Sequence, residues 1–384
     1  MVRPHESRLP VLLLLVGAVV LTACTGTSSS SAPASSSTSA GPRASATAQR
    51  QVAEDLPASI EAWRLQRDTR KNVRAIIVNV DGRTVFEKYY GTTPDVARDV
   101  ESVTKSVIST LVGAALATGD LTSVDQTLSE LLPAYAPTMT PAVAAVTLRQ
   151  LLTMTAGVPD WTAETSPPTT DGADWVAAIL GAMTPTPDAK FIYSNPDAHL
   201  VSAILTQATG KSVLDFAREA LFDPLGIDTT SAIEPVAVPS NYATYKAAQF
   251  AWPIDPQHIN LGYSLLTLRP RDMLALGQLY LSNGLWKGRQ VLPANWVADA
   301  TSAQVKTFDT WESYGYLWWV TTADRATAYA AAGAGGQLIE VVPSRGLVVV
   351  ATSEYDALNP THEAEGPFDL TTFVNDVIAP GVSQ

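Results

Sequence analysis

Ser102-Val103-Thr104-Lys105 leads into Val107, Ile108, Leu111, Val112 and Ala115 at helical spacing, and Gly119-Asp120 closes the run. This is the one place in the chain where a serine stands three residues before a lysine. Residues three apart share a helix face, so the amine can reach the hydroxyl. A free serine hydroxyl is a weak nucleophile, and a desolvated lysine can act as its base. The four letters by themselves also suit a surface serine and lysine near a helix start. The rest of the chain decides between the two.

Upstream, Glu54 to Arg70 reads as an amphipathic helix with Ile60, Trp63 and Leu65 among its apolar positions. Arg74 to Val80 and Thr84 to Tyr90 are β-rich and joined by Asp81-Gly82, a hairpin signal. Downstream the chain is mostly helical: Thr147 to Met154, Asp174 to Met183, Pro196 to Thr209, Leu214 to Phe222, Pro270 to Leu281 and Pro293 to Ser302. Strands return at Tyr316 to Thr321, Gly336 to Val342 and Leu347 to Thr352, and a helix near Phe368 to Ile378 closes the chain. The order predicts an α+β domain in which both chain ends complete one five-stranded antiparallel sheet. A mostly helical lobe, about 102–302, is inserted between the sheet segments at about 51–101 and 303–384. The Ser-Lys helix begins where sheet gives way to insert, at a cleft suited to a ligand.

The N-terminus reads as an address. Arg3 and Arg8 precede the apolar run Val11 to Leu21, which is too short to span a bilayer, and 1–23 has the layout of an export signal. Cys24, the only cysteine, follows Leu21-Thr22-Ala23 and has no partner for a disulfide. Thr25 to Gln49 is almost all Ser, Ala, Thr, Gly and Pro, so 24–50 reads as a flexible tether. Such a tether spans on the order of 25–30 Å. The chain has 25 Lys and Arg against 37 Asp and Glu, a net charge of −12, which argues against nucleic acid and anionic membrane as partners.

Two further elements matter. Phe191-Ile192-Tyr193-Ser194-Asn195-Pro196 places a phenol just before a helix, and Asn195-Pro196 reads as its N-cap and first-turn pair. Ala331-Ala332-Gly333-Ala334-Gly335-Gly336-Gln337 reads as a glycine-rich entry to a strand, where backbone can approach a ligand closely. In this order, and with the surrounding Thr147 to Gly157, Asp223-Pro224-Leu225-Gly226-Ile227 and Tyr314-Gly315-Tyr316-Leu317-Trp318-Trp319, they resemble the serine β-lactamase and penicillin-binding protein superfamily. The likeness is to its class C β-lactamase and esterase branch, over about Val52 to Ala379. Leu21 to Cys24 likewise resembles a bacterial lipobox, which implies cleavage before Cys24, lipidation of its sulfur and an extracytoplasmic, membrane-anchored protein.

The resemblance implies a β-lactamase/transpeptidase-like fold and an acyl-enzyme mechanism without cofactor or metal. By position, Ser102 is the nucleophile and Lys105 its base. Tyr193 relays the proton to the leaving group, and Asn195 bonds substrate or Lys105. Gly333 and Ala334 belong to the third motif, and the backbone amides of Ser102 and Ala334 form the oxyanion hole. Mutual proximity is expected to bring both Lys105 and Tyr193 toward useful pKa values. One departure bears on substrate. Penicillin-recognising members open the third motif with Lys or His, whereas this chain has Ala331. Losing a charge-assisted contact of roughly 1.5–3 kcal/mol disfavours carboxylate-bearing substrates unless a residue such as Arg269 or Arg271 compensates. The reading is therefore a serine esterase or amidase acting on a small-molecule or peptidoglycan-derived substrate. D-Ala-D-Ala carboxypeptidase, β-lactamase and a silent cell-wall-binding lipoprotein are the alternatives. A Ser-His-Asp enzyme lacks support: no Gly-x-Ser-x-Gly occurs, and His199 sits inside a predicted helix.

Overall fold

The computed structural model describes residues 50–161, 173–186, 190–237, 241–307, 313–355 and 367–382. The segment read as an export signal, Cys24, and the segment read as a tether as far as Gln49 lie outside the described residues.

Helix α1 (Leu56–Leu65) is followed by strands β1 (Val73–Val80) and β2 (Arg83–Tyr89), then by helix α2 (Val103–Thr118). The insert supplies, among others, α3 (Leu148–Leu152), α4 (Asn195–Thr209) and α5 (Pro270–Leu281). The sheet resumes with β3 (Val305–Lys306), β4 (Ser313–Tyr314), β5 (Trp319–Ala323), β6 (Ala326–Gly333), β7 (Gln337–Val342) and β8 (Leu347–Ser353), before α6 (Pro367–Phe373). The strands form one sheet in the order β2-β1-β8-β7-β6-β5-β4-β3, antiparallel throughout. The pairing of β1 with β8, Ile77 opposite Val350, joins the two ends of the chain as the sequence order requires.

The sheet has eight strands, not five. Strand β6 is the notable omission from the sequence reading: Ala326-Thr-Ala-Tyr-Ala-Ala-Ala-Gly333 is alanine-rich, and alanine is a poor strand former. Here both sheet faces are covered, and small side chains suit a strand buried on both sides. Strand β5 begins at Trp319 rather than Tyr316, because Leu317 is left-handed (φ 57°) and the Gly315 amide donates to the Trp318 carbonyl in a tight turn. Helix α1 stops at Leu65, which is 64% exposed instead of packed. Arg70 then folds back to donate to the Trp63 carbonyl at 3.0 Å.

One sheet face carries Ile77, Tyr329, Ala331, Ile339, Val348 and Val350 into a core shared with α2 and the insert. The other carries Ile76, Val78, Ala330, Leu338 and Val349 against Leu56, Ile60 and Trp63 of α1 and the C-terminal Phe373 and Ile378. Trp63 and Phe373 stack at 3.9 Å. Helix α2 is the hub: every residue from Val103 to Ala115 is buried, and Gly119 ends the helix in the left-handed region.

Candidate active site

Ser102 stands at the N-cap position of α2, its side chain making no cap bond, and is the only residue from Glu101 to Ala115 that is not buried. Its hydroxyl is thus presented to the cleft from the end of a rigid helix. One turn on, Lys105 is 1% exposed, and its Nζ donates to Ser102 Oγ at 2.9 Å, Asn195 Oδ1 at 2.7 Å and the Tyr263 carbonyl at 3.1 Å. Burial pulls its pKa down to about 7, against the opposing charges of Asp160 and Glu101. Near neutrality the amine can release its proton, and the Ser102 hydroxyl can then donate to it.

Asn195 reaches Lys105 because it is not the cap. Ser194 caps α4 instead, its Oγ accepting from the Asp197 amide at 3.2 Å, and Asn195 is the first helical residue. This corrects the sequence reading by one position and frees the Asn195 carboxamide. Its backbone N–H donates to Asp160 Oδ1 at 2.9 Å.

Tyr193 stacks on Trp319 at 5.4 Å, lies under Lys105 Nζ at 4.8 Å from its ring centroid, and faces the Ser102 side chain. Its pKa does not fall as expected. Burial pushes it well above the ordinary phenol value, and the charges of Asp160 and Glu101 add to this. A lysine that is itself half neutral near pH 7 offers little positive charge to hold a phenolate, so Tyr193 is a neutral phenol.

The third motif meets Ser102 through Gly333. A Cβ at Gly333 would lie 2.4 Å from the Val100 carbonyl oxygen and 3.0 Å from Glu101 Cβ, so only glycine lets the end of β6 lie against the backbone leading into Ser102. Ala334 follows in the β6–β7 turn. Gly262 acts in the same way across the site. Its Cβ would meet the Ala198 carbonyl oxygen at 2.1 Å, and this close approach to α4 brings the next residue, Tyr263, to Lys105.

Asp160 and Tyr263 are site residues the sequence reading did not name, and Trp319 entered it only as part of the Tyr314 to Trp319 stretch, with no place in the site. Asp160 follows Gly157-Val158-Pro159 without a chemical signature, and Tyr263 lies in an irregular segment that becomes part of the site only through packing. Trp161 continues the wall, edge-on to Tyr263 at 5.0 Å and to Trp175 at 5.6 Å.

No replacement cation comes from the two arginines considered. Arg269 pairs with Asp272 at 2.9 Å and Arg271 with Glu87 at 2.8 Å, and both line a separate cavity with Trp286. Ala331 is fully buried in β6, opposite Ile339. His199 is also fully buried, bonded through Nε2 to Asp255 Oδ2 at 3.0 Å, while its Nδ1 meets no partner.

A helical lobe inserted into an antiparallel sheet, with a Ser-x-x-Lys helix at the junction, defines the β-lactamase/transpeptidase-like fold. The chain belongs to the beta-lactamase family, whose profile matches residues 50–371. It is 26% identical to Penicillin-binding protein 4 of Amycolatopsis lactamdurans over 268 residues, 64% of this chain and 69% of the relative. The fold is shared with the class C beta-lactamase of Rhodobacter sphaeroides (TM-score 0.57, 20% identity, 83% of this chain and 99% of the other). It is shared too with EstCE1, a hydrolase with promiscuous acyltransferase activity (TM-score 0.65, 16% identity, 85% of this chain and 98% of the other). The family and these neighbours support a hydrolase.

Proposed function

We propose that this protein is a serine hydrolase that cleaves a neutral ester or amide through an acyl-enzyme. The observation that carries the reading is the buried Lys105 ammonium held by Ser102, Asn195 and the Tyr263 carbonyl, with a pKa near 7. Neutral Lys105 takes the Ser102 proton as Oγ bonds to the acyl carbon. The amides of Ser102 and Ala334 receive the developing oxyanion. Tyr193, as a neutral phenol facing Ser102, passes a proton to the leaving group as its bond breaks and is refilled from Lys105. Water then hydrolyses the acyl-enzyme by the reverse proton path.

The neutral-substrate assignment rests on charge. Lys105 is spent on catalysis, Ala331 supplies no cation, and the Asp160 carboxylate acts electrostatically on Lys105 and Tyr193. A carboxylate-bearing substrate would meet this charge without compensation, which disfavours β-lactams and D-Ala-D-Ala termini. The wall of Tyr193, Trp319, Tyr263 and Trp161 suits an apolar acyl or leaving group.

The test is fluorophosphonate labelling of the soluble domain read by intact mass, beside Ser102→Ala. One adduct on wild type and none on the variant is expected; a folded wild type that takes no adduct overturns the reading in favour of a binding protein. We further propose that Cys24 carries the lipid that holds the domain outside the cytoplasmic membrane. Cys24→Ser should then move the protein out of the membrane fraction, and an unchanged distribution would refute the anchor.

A further inference from the structure

His199 takes no part in the acyl transfer, yet it makes a fully buried bond to an acid. It stands one helical turn after Asn195 on α4, and its Nε2 meets Asp255 Oδ2 at 3.0 Å, with both side chains 0% exposed. Asp255 Oδ1 accepts from the backbone N–H groups of Gln257 and Ile259, each at 2.8 Å. The Asp255 N–H in turn donates to the Ile259 carbonyl at 2.9 Å. The side chain so closes a tight loop with one oxygen and turns the other to α4. A buried charged group and its partner stabilise a fold little compared with apolar residues of the same volume. The value of this bond therefore lies in what it positions.

The segment from Asp255 to Tyr263 is laid along α4 at three points. Asp255 meets His199, the Asn260 carbonyl accepts from Ser202 Oγ at 2.6 Å, and a Cβ at Gly262 would fall 2.1 Å from the Ala198 carbonyl oxygen. The segment ends at Tyr263, whose carbonyl accepts from Lys105 Nζ at 3.1 Å and whose ring packs edge-on to His199 at 6.1 Å. Asn195, at the start of α4, accepts from the same Nζ at 2.7 Å. Besides Ser102, both acceptors of the ammonium are thus referred to one helix, Asn195 as part of it and Tyr263 through this seam.

We propose that His199 is a positioning residue: through Asp255 it fastens the 255–263 segment to α4 and so keeps the Tyr263 carbonyl on the Lys105 ammonium. The proposal rests on the serine-hydrolase reading and adds a residue to its machinery. Without the bond, the Asp255 loop would part from α4 and Tyr263 would withdraw from Lys105. A hydrogen bond to the charged form favours that form, so an ammonium that loses this acceptor gives up its proton more readily. The labelling rate should then fall, because the lysine is held less firmly on Ser102, and its rise with pH should move to lower pH. A general loosening would do the opposite: water admitted to the site favours the charged amine and moves the rise upward. The acids that act on Lys105, Asp160 and Glu101, and the phenols Tyr193 and Tyr263 beside it are unchanged by substitution at 199, so the shift reports the carbonyl.

The experiment measures fluorophosphonate labelling rate against pH, with chemical denaturation alongside, for wild type, His199→Phe and His199→Gln. His199→Phe keeps a ring and loses the donor. It should label about tenfold more slowly, as for a lost bond to a charged group, with its rise at lower pH. His199→Gln sets an amide N–H near the lost Nε2; it should restore the wild-type midpoint and, to within about threefold, the rate. Should His199→Phe alone fail to fold, the double variant with Asp255→Asn removes the stranded acid while keeping an acceptor for the Gln257 and Ile259 amides, and it should show the same downward shift. A folded His199→Phe protein, single or double, whose midpoint stays in place or moves upward would overturn the proposal. A His199→Gln midpoint displaced as far as that of His199→Phe would overturn it too. An unlabelled wild type would instead defeat the hydrolase reading.

Discussion

The Lys105 ammonium donates to Asn195 Oδ1 at 2.7 Å, and it does so because Ser194 takes over the capping of α4. An asparagine spent on the cap would have its oxygen turned to backbone amides. Released from that duty, and with its own amide braced on Asp160, Asn195 fixes the lysine in line with Ser102.

Removing that acceptor should slow acylation. A hydrogen bond to a charged group contributes roughly 1.5–3 kcal/mol, so Asn195→Ala should label about ten- to a hundredfold more slowly. The pH dependence has a definite sign. Burial lowers Lys105 to about 7, so the wild-type rate should rise with pH through that region as the amine loses its proton. Asn195→Asp sets a carboxylate on the ammonium, favours the charged form, and should move the rise to higher pH. A rise left in place would show that Lys105 is not the titrating base.

Gly333→Ala tests the contact between the third motif and the nucleophile. The added Cβ would fall 2.4 Å from the Val100 carbonyl oxygen, a backbone atom that can yield only by moving the strand or the turn before Ser102. A destabilisation of about 1–3 kcal/mol, as for other overpacked sites, should accompany loss of labelling. Chemical denaturation and labelling on the same sample measure both. Unchanged labelling would mean that the β6–β7 turn does not serve Ser102.

Glu340 predicts a stability effect remote from the site. It lies on β7 opposite Ala330 and Val349, is 0% exposed, and neither carboxyl oxygen has a partner. Burial raises its pKa well above the usual value, so the folded state holds a proton that the unfolded chain releases near neutrality. Its contribution is fully present below the unfolded value near 4.5 and is lost as pH rises through the folded one. Glu340→Leu should therefore raise stability at pH 8 by about 1–3 kcal/mol and flatten its decline with pH. Thermal unfolding at pH 5 and pH 8 measures this; equal losses for wild type and variant would remove Glu340 as the cause.

Much of this was legible in the chain. The Ser102 helix, the Asp81-Gly82 hairpin, β7, β8 and α5 carry local signals of periodicity, turn chemistry and capping that the fold keeps. Strand β6 was not legible, since its alanines are chosen by burial on both faces and not by strand propensity. Nor was the neutrality of Tyr193, because a pKa depends on what buries the group and not on its neighbours in sequence.

Sequence by itself determined the family, the Ser102-Lys105 pair and the helical insert within a sheet, because these rest on residue types at short, regular spacings. Only the tertiary structure decided which groups surround that pair. Asp160 and Tyr263 come to Lys105 from separate loops, Gly333 comes to Glu101 from 232 positions later in the chain, and Ser194 displaces Asn195 as cap. Such neighbours are set by close packing between elements, and the same packing removes the water that would otherwise keep Lys105 charged.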